Sequence, residues 1–169
     1  MVLKQEVRFV NGVEFGEPVL PVAENCGSNA VMSLVQQLCT GAAALFEQTP
    51  VLFAYLYGSH VKALSHPFSD LDVGIFVENL DVRACLELEL ALSVRIDETL
   101  GHVVQSEVRA LNHLPLAVTG RILGEARLVY SRAENKRIDF ETQVRMAYFD
   151  FLPVIRRYQE EYRKKLVSR

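Results

Sequence analysis

Residues 51–57, Val-Leu-Phe-Ala-Tyr-Leu-Tyr, are apolar or aromatic without a break and run straight into Gly58-Ser59. A strand with one wet face alternates apolar and polar residues. A strand covered on both faces has no such need. The run is far too short to span a membrane, which takes about 20 apolar residues. It therefore calls for packing layers on both sides of a sheet. A second apolar run, Val73-Gly74-Ile75-Phe76-Val77, follows Asp72 and supplies a partner strand.

The surrounding segments supply the layers. Ser28-Asn29 can cap a helix reaching about Gln48, with Val31, Leu34, Val35, Leu38 and Ala42 at helical spacing and Thr49-Pro50 closing it. Residues 81–100 are ambiguous, because Leu86–Leu92 alternates like a strand. Asp81 as a cap, Gly101 as a stop and the Leu88/Leu92/Ile96/Leu100 ladder favour a helix. Residues 103–111 read as a third strand, residues 115–126 as a short helix opened by Pro115, and residues 127–130 as a short strand. From Ile138 a long amphipathic helix begins, with Phe140, Val144, Tyr148, Phe151, Ile155, Tyr158 and Tyr162 along one stripe. Pro153 should break or kink it near Leu152. At the other end, Val7-Arg8-Phe9-Val10, Asn11-Gly12 and Val13-Glu14-Phe15 spell a β-hairpin. The fold class is α/β or α+β: an N-terminal hairpin and linker over residues 1–27, a core over 28–135 and a helical arm over 136–169, together one domain.

Charge and cysteines narrow the function classes. The chain of 169 residues carries a formal charge of −3. Residues 156–169 alone hold six Lys/Arg against two Glu, so the remainder carries −7. An acidic body argues against nucleic acid as the direct substrate, since backbone binding needs a basic face. The basic end either favours the C-terminal dipole of a solvated helix or offers a docking surface. Three cysteines, Cys26, Cys39 and Cys85, have no CxxC spacing, which fits a reduced, cytoplasmic setting. The first residues lack a signal-peptide pattern, and no membrane association is expected. The four histidines form no zinc-type spacing.

The chemistry concentrates in residues 58–72: Gly58-Ser59, ten residues, then Asp70-Leu71-Asp72. Gly58 lets the backbone turn and approach a ligand. Ser59 offers a hydroxyl and an N–H to phosphate oxygens. Asp70 and Asp72, two apart on a strand, share one face. Such a pair suits Mg²⁺, which takes one or two carboxylates plus substrate phosphates. Ser69 can orient a carboxylate. A phosphoryl-transfer site also wants an acid near the attacking hydroxyl, and Glu107 on the third strand is the candidate, with Arg109 on the same face.

This spacing resembles the signature of the polymerase-beta-like nucleotidyltransferases. Within them the chain is similar to the minimal nucleotidyltransferases, the MntA-like antitoxins of HEPN toxin–antitoxin pairs. The stretches Val108–Leu116 and Arg121–Tyr130 support that subgroup. The resemblance implies a small mixed sheet backed by helices. It implies transfer of AMP from ATP to a hydroxyl, in MntA-like members a tyrosine of a HEPN ribonuclease toxin. Asp70, Asp72 and Glu107 would be the catalytic acids holding two Mg²⁺ ions. Gly58, Ser59, Lys62 and Ser69 would bind the nucleotide. Assembly would be with the toxin or as a homo-oligomer. The chain departs from the family where the third acid is Glu rather than Asp, and where Lys62-Ala63 replaces Arg-Gly. An antitoxin acting by occlusion, or a transferase acting on small molecules, are the alternative readings.

Overall fold

The computed structural model describes residues 9–10, 13–14, 34–61 and 69–167. Strands β1 (Phe9–Val10) and β2 (Val13–Glu14) pair antiparallel with Val10 opposite Val13, as the hairpin pattern predicts. Helix α1 covers Leu34–Phe46, and residues 28–33, where its cap was expected, lie outside the described residues. Strand β3 (Val51–Tyr57) leads into a short 3₁₀ turn at Gly58–His60, and β4 (Leu71–Val77) runs back beside it. Then come α2 (Val82–Thr99), β5 (Ser106–Ala110), α3 (Leu116–Glu125), β6 (Arg127–Ser131) and α4 (Glu134–Val167).

Four strands form one mixed sheet in the order β5-β4-β3-β6. Strand β3 is antiparallel to both its neighbours, and β4 is parallel to β5. Both faces are covered. Ala54, Leu56, Val73, Ile75 and Val108 pack with Leu38 and Phe46 of α1 and Leu92 and Ile96 of α2. Phe53, Tyr55 and Leu128 pack on the other face with Ile122 and Leu123 of α3 and Phe140 and Val144 of α4. This is the two-sided burial that the unbroken run 51–57 requires. Helix α2 settles the ambiguity of residues 81–100: Asp81 caps it, its carboxylate accepting from the Ala84 N–H at 2.8 Å.

Helix α2 also seals an edge of the sheet. The N–H groups of Ser106, Val108 and Ala110 on β5 donate to Asp97 (2.8 Å), Ser93 (3.2 Å) and Glu89 (2.7 Å). Four helical residues rise about 6 Å, and two strand residues advance about 6.6 Å. Acceptors spaced four apart on α2 therefore match donors spaced two apart on β5. An edge strand that would otherwise display unpaired N–H groups is fixed in register.

One half of an expectation, a break at Pro153, fails. Pro153 lies inside α4, which continues to Val167 instead of breaking near Leu152. The helix has about five turns before the proline and nearly four after it, so the loss of one intrahelical hydrogen bond does not end it. Pro153 is also exposed, which leaves room for its ring. The helix starts four residues ahead of Ile138.

Helix α4 is tied to β3 by a buried polar cluster. The Tyr55 hydroxyl donates to Glu141 Oε1 at 2.7 Å. Arg137 donates through Nη1 to Glu141, and through Nε (2.9 Å) and Nη2 to Glu134. Arg137 and Glu141 are only 7% and 8% exposed, so each charge depends on the other. Burial and the hydrogen bond to Glu141 push the Tyr55 hydroxyl well above its ordinary pKa. Further along, Tyr148 of α4 packs against Gly120 of α3, where a Cβ would come within 2.3 Å of the ring.

Candidate active site

The site grows from the strand register. Tyr57 pairs with Asp72 across β3 and β4, and Asp72 pairs with Glu107 across β4 and β5. Strand neighbours sit about 4.8 Å apart, so these residues form one row across three strands. Leu71, Val73 and Val108 face the α1/α2 core. By alternation Asp72, Glu107 and Arg109 face the α3/α4 side. The parity expected for Glu107 and Arg109 therefore holds, and it is the parity of Asp72.

Gly58 ends β3 with φ of +76°, a conformation that costs other residues strain. A Cβ built there would lie 2.0 Å from Asp72 Oδ2. The position excludes side chains twice over, by dihedral angle and by contact. The bare backbone of the Gly-Ser turn thus lies directly against the carboxylate of the Asp-x-Asp segment.

Asp70 is exposed one residue before β4, while Asp72 is half-buried within it. Burial raises the Asp72 pKa, and the negative charges of Glu107 and Asp70 raise it further, while His60 opposes them. The structure thus brings Asp70, Asp72 and Glu107 into one electrostatic neighbourhood. Tyr57 beside them is pushed up to about 12, first by burial and then by the charges of Asp72 and Glu107. Glu107 is held by Arg109, whose Nε donates to its Oε1 at 2.7 Å. Across the loop, His60 Nε2 donates to the Ser69 carbonyl at 3.0 Å, joining the two ends of the connection between the strands. Ser59 and Ser69 are half-buried at those ends. Lys62, Ala63 and His66 lie outside the described residues.

A cavity of about 560 Å³ opens over this row. Tyr57, Gly58, Asp72, Glu107 and Arg109 line the sheet side, and Leu114, Val118, Arg121, Ile122 and Glu125 line the other. Sequence reasoning did not single out Tyr57, Arg121 or Glu125. Tyr57 had a signal, since it precedes Gly58 in a strand of known parity. The α3 residues had one only in retrospect, as the i, i+3, i+4, i+7 face of that helix. Among the described residues no three acids, histidines or cysteines already form a metal cage. The donor chemistry nonetheless fits a divalent cation. Beyond the effect of burial, the like charges around Asp72 raise its pKa, and a cation shared by Asp70 and Asp72 would relieve that repulsion.

A Gly-Ser turn pressed against an acidic strand end, with a third carboxylate one strand over, is a frame suited to phosphoryl transfer. The family model described as polymerase beta, nucleotidyltransferase matches residues 42–135, more than half the chain, and the protein belongs to that family. No curated protein matches it significantly in sequence. Solved structures do resemble it. One is a chain of a toxin–antitoxin complex with AMP-PNP, 16% identical with a TM-score of 0.55, over 73% of this chain and 95% of that one. Another comes from the Shewanella oneidensis complex of a tri-AMPylated HEPN toxin with an MNT antitoxin, 15% identical with a TM-score of 0.54, over 75% and 96%. A third comes from a toxin–antitoxin pair called MntA-HepT, 16% identical with a TM-score of 0.52, over 75% and 97%. At such identities the likeness establishes a shared fold. Among the described residues no helix is long and apolar enough to cross a membrane.

Proposed function

We propose that this protein is an antitoxin that transfers AMP from ATP to a tyrosine hydroxyl of a HEPN-family ribonuclease toxin, in the cytoplasm, with Mg²⁺. The observation that carries the reading is Gly58 lying against Asp72, with Glu107 one strand over, under one cavity. Phosphate is expected on one side of Asp72, and the acceptor hydroxyl on the other. The neighbouring structures, with an ATP analogue in one and a tri-AMPylated HEPN toxin in another, support the choice of nucleotide and acceptor.

The roles follow from position. The turn at Gly58-Ser59 presents backbone N–H groups and a hydroxyl to the β- and γ-phosphates. Asp70 and Asp72 would hold Mg²⁺, with Glu107 as a further ligand. A Mg²⁺ ion held there would supply neutralisation of the phosphate charge. Lys62 would add a cation to the triphosphate, and Ser69, fixed through its carbonyl by His60, would orient the acids. Glu107 takes the proton of the acceptor hydroxyl while Arg109 holds its carboxylate in place. The acceptor oxygen forms a bond to the α-phosphorus, the bond from that phosphorus to the bridging oxygen breaks, and pyrophosphate leaves. The protein's contribution is positioning and charge placement.

The Arg109–Glu107 pair also favours a second reading, in which the acid is spent on its neighbour and the antitoxin acts by occlusion. Intact-mass spectrometry separates the two. A HEPN-family toxin is incubated with this protein, ATP and Mg²⁺. Mass steps of one AMP, abolished by Asp72→Ala, are expected. A stable complex without any mass gain would overturn the transferase reading in favour of occlusion.

A further inference from the structure

A second recess, of about 490 Å³, lies on the same face of the sheet, between the start of α3 and the first half of α4. Its apolar walls include Phe76 of β4, Leu111 and Phe140 of α4. The Phe76 and Phe140 rings pack against each other at 4.8 Å between centroids, so this wall is preformed. The recess shares one wall, Leu114, with the cavity over Asp72.

Its polar groups are largely committed. Lys136 is ion-paired to Glu78. The Asn112 side-chain amide donates to the Val77 carbonyl at 3.0 Å, extending the sheet ladder beyond β5. The cation is neutralised where it stands, so the recess offers little to a phosphate. What it offers is an aromatic and aliphatic hollow with a thin polar rim at Asp139 and Gln143. Such a hollow takes an uncharged apolar side chain.

Asp72 and Phe76 are four residues apart on one strand, which places the recess about 13 Å from the Asp72 carboxylate. A protein acceptor presents a single hydroxyl to the catalytic cavity. Binding energy from a remote anchor is what lets an enzyme orient such a substrate and distinguish it from other tyrosines. We propose that this recess is the anchor site for the acceptor protein. It would receive an aromatic or aliphatic side chain lying about 13 Å from the modified hydroxyl. That distance is about four residues along an extended segment, or about nine along a helix. The inference rests on the transferase reading for its substrate, and not for the existence of the docking surface.

The test fills the recess from its exposed rim. Gln143→Trp and, separately, Leu116→Lys are compared with the parent protein after circular dichroism and melting curves establish that they fold. The acceptor is a HEPN-family toxin of the kind this reading assigns to the protein. Its KM should rise at least tenfold, with kcat at saturating acceptor and the KM for ATP unchanged. Calorimetric Kd for the complex should weaken in parallel. Folded variants with acceptor KM and Kd within twofold of the parent would overturn the anchor site. If the parent binds the acceptor but transfers no AMP, the transferase reading falls, and the Kd comparison alone decides the recess. If the parent neither binds nor modifies it, both proposals fall.

Discussion

The two faces of this sheet are built from the same strands and do different work. Toward α1 and α2, Ala54, Leu56, Val73, Ile75, Val108 and Ala110 are all aliphatic and at most 3% exposed. Toward α3 and α4, the apolar Phe53, Phe76 and Leu128 share the face with Tyr55, Tyr57, Asp72, Glu107 and Arg109. The first face gains free energy by removing apolar area from water. The second carries a half-buried carboxylate whose ionisation the fold disfavours. A strand that alternates can hold both because its backbone is fixed once, by the apolar side and by the α2 acceptors. The polar side then divides again. Tyr55, Glu141 and Arg137 form a closed cluster under α4, whereas Asp72 and Glu107 open onto a cavity.

If the division holds, substitutions on the two faces should separate activity from stability. The largest effect is expected for Asp72→Asn, with AMP transfer falling at least about 10³-fold, or about 4 kcal/mol in the barrier. Its melting temperature at pH 7 should not fall. The sign follows from the raised pKa. The native state holds the Asp72 proton more tightly than the unfolded chain. As pH rises above the ordinary 3.8, the unfolded chain releases its proton first and native stability declines. Above the raised pKa that penalty is complete, and Asn removes it. A clear drop in melting temperature would show that Asp72 is structural.

Next is Arg137→Met, which tests whether the closed cluster belongs with stability despite its polarity. Glu141 would be left buried without its strongest partner, at an expected cost of about 3–5 kcal/mol by denaturant titration. A cost below about 1 kcal/mol would mean that Arg145, 3.3 Å from Glu141 Oε2, takes over the pairing. Smaller again is Ile75→Val in the aliphatic layer, at about 1 kcal/mol with kcat and both KM values unchanged. A change in kcat there would show that the apolar face tunes the site through the shared strand.

How far the sequence could be read depends on whether the signal was local. The strands at 51–57 and 71–77 and the Gly58/Asp70/Asp72 spacing were legible because periodicity and motif lie within one stretch. Parity alone put Glu107 and Arg109 on one face, and left open whether that face is the one carrying Asp72. The row Tyr57–Asp72–Glu107 was not legible, because it depends on which strands pair and with what offset. Nor were the contributions of Arg121 and Glu125, since nothing in a short helix says which of its faces will roof a cavity. The Arg137–Glu141–Tyr55 cluster joins residues 86 positions apart and leaves no local pattern. That the helix continues past Pro153 was not legible, because it depends on the length of helix on either side.

The smallest predicted effect goes deepest into the comparison. Desolvation is the first cause of the raised Asp72 pKa, and the charge of Glu107 is the second. In metal-free protein, Glu107→Gln removes the second cause and leaves the first. The Asp72 carboxyl resonance, followed by ¹³C NMR, should therefore titrate at lower pH than in the parent while remaining above its ordinary value. Arg109 complicates a naive reading, since it loses its carboxylate partner in the variant and its positive charge is less screened. That change also favours ionised Asp72, so both consequences act in the same direction. A midpoint that does not move would mean that Arg109 already neutralises Glu107 as seen from Asp72. The open half of the polar face would then be as closed, electrostatically, as the cluster beneath α4.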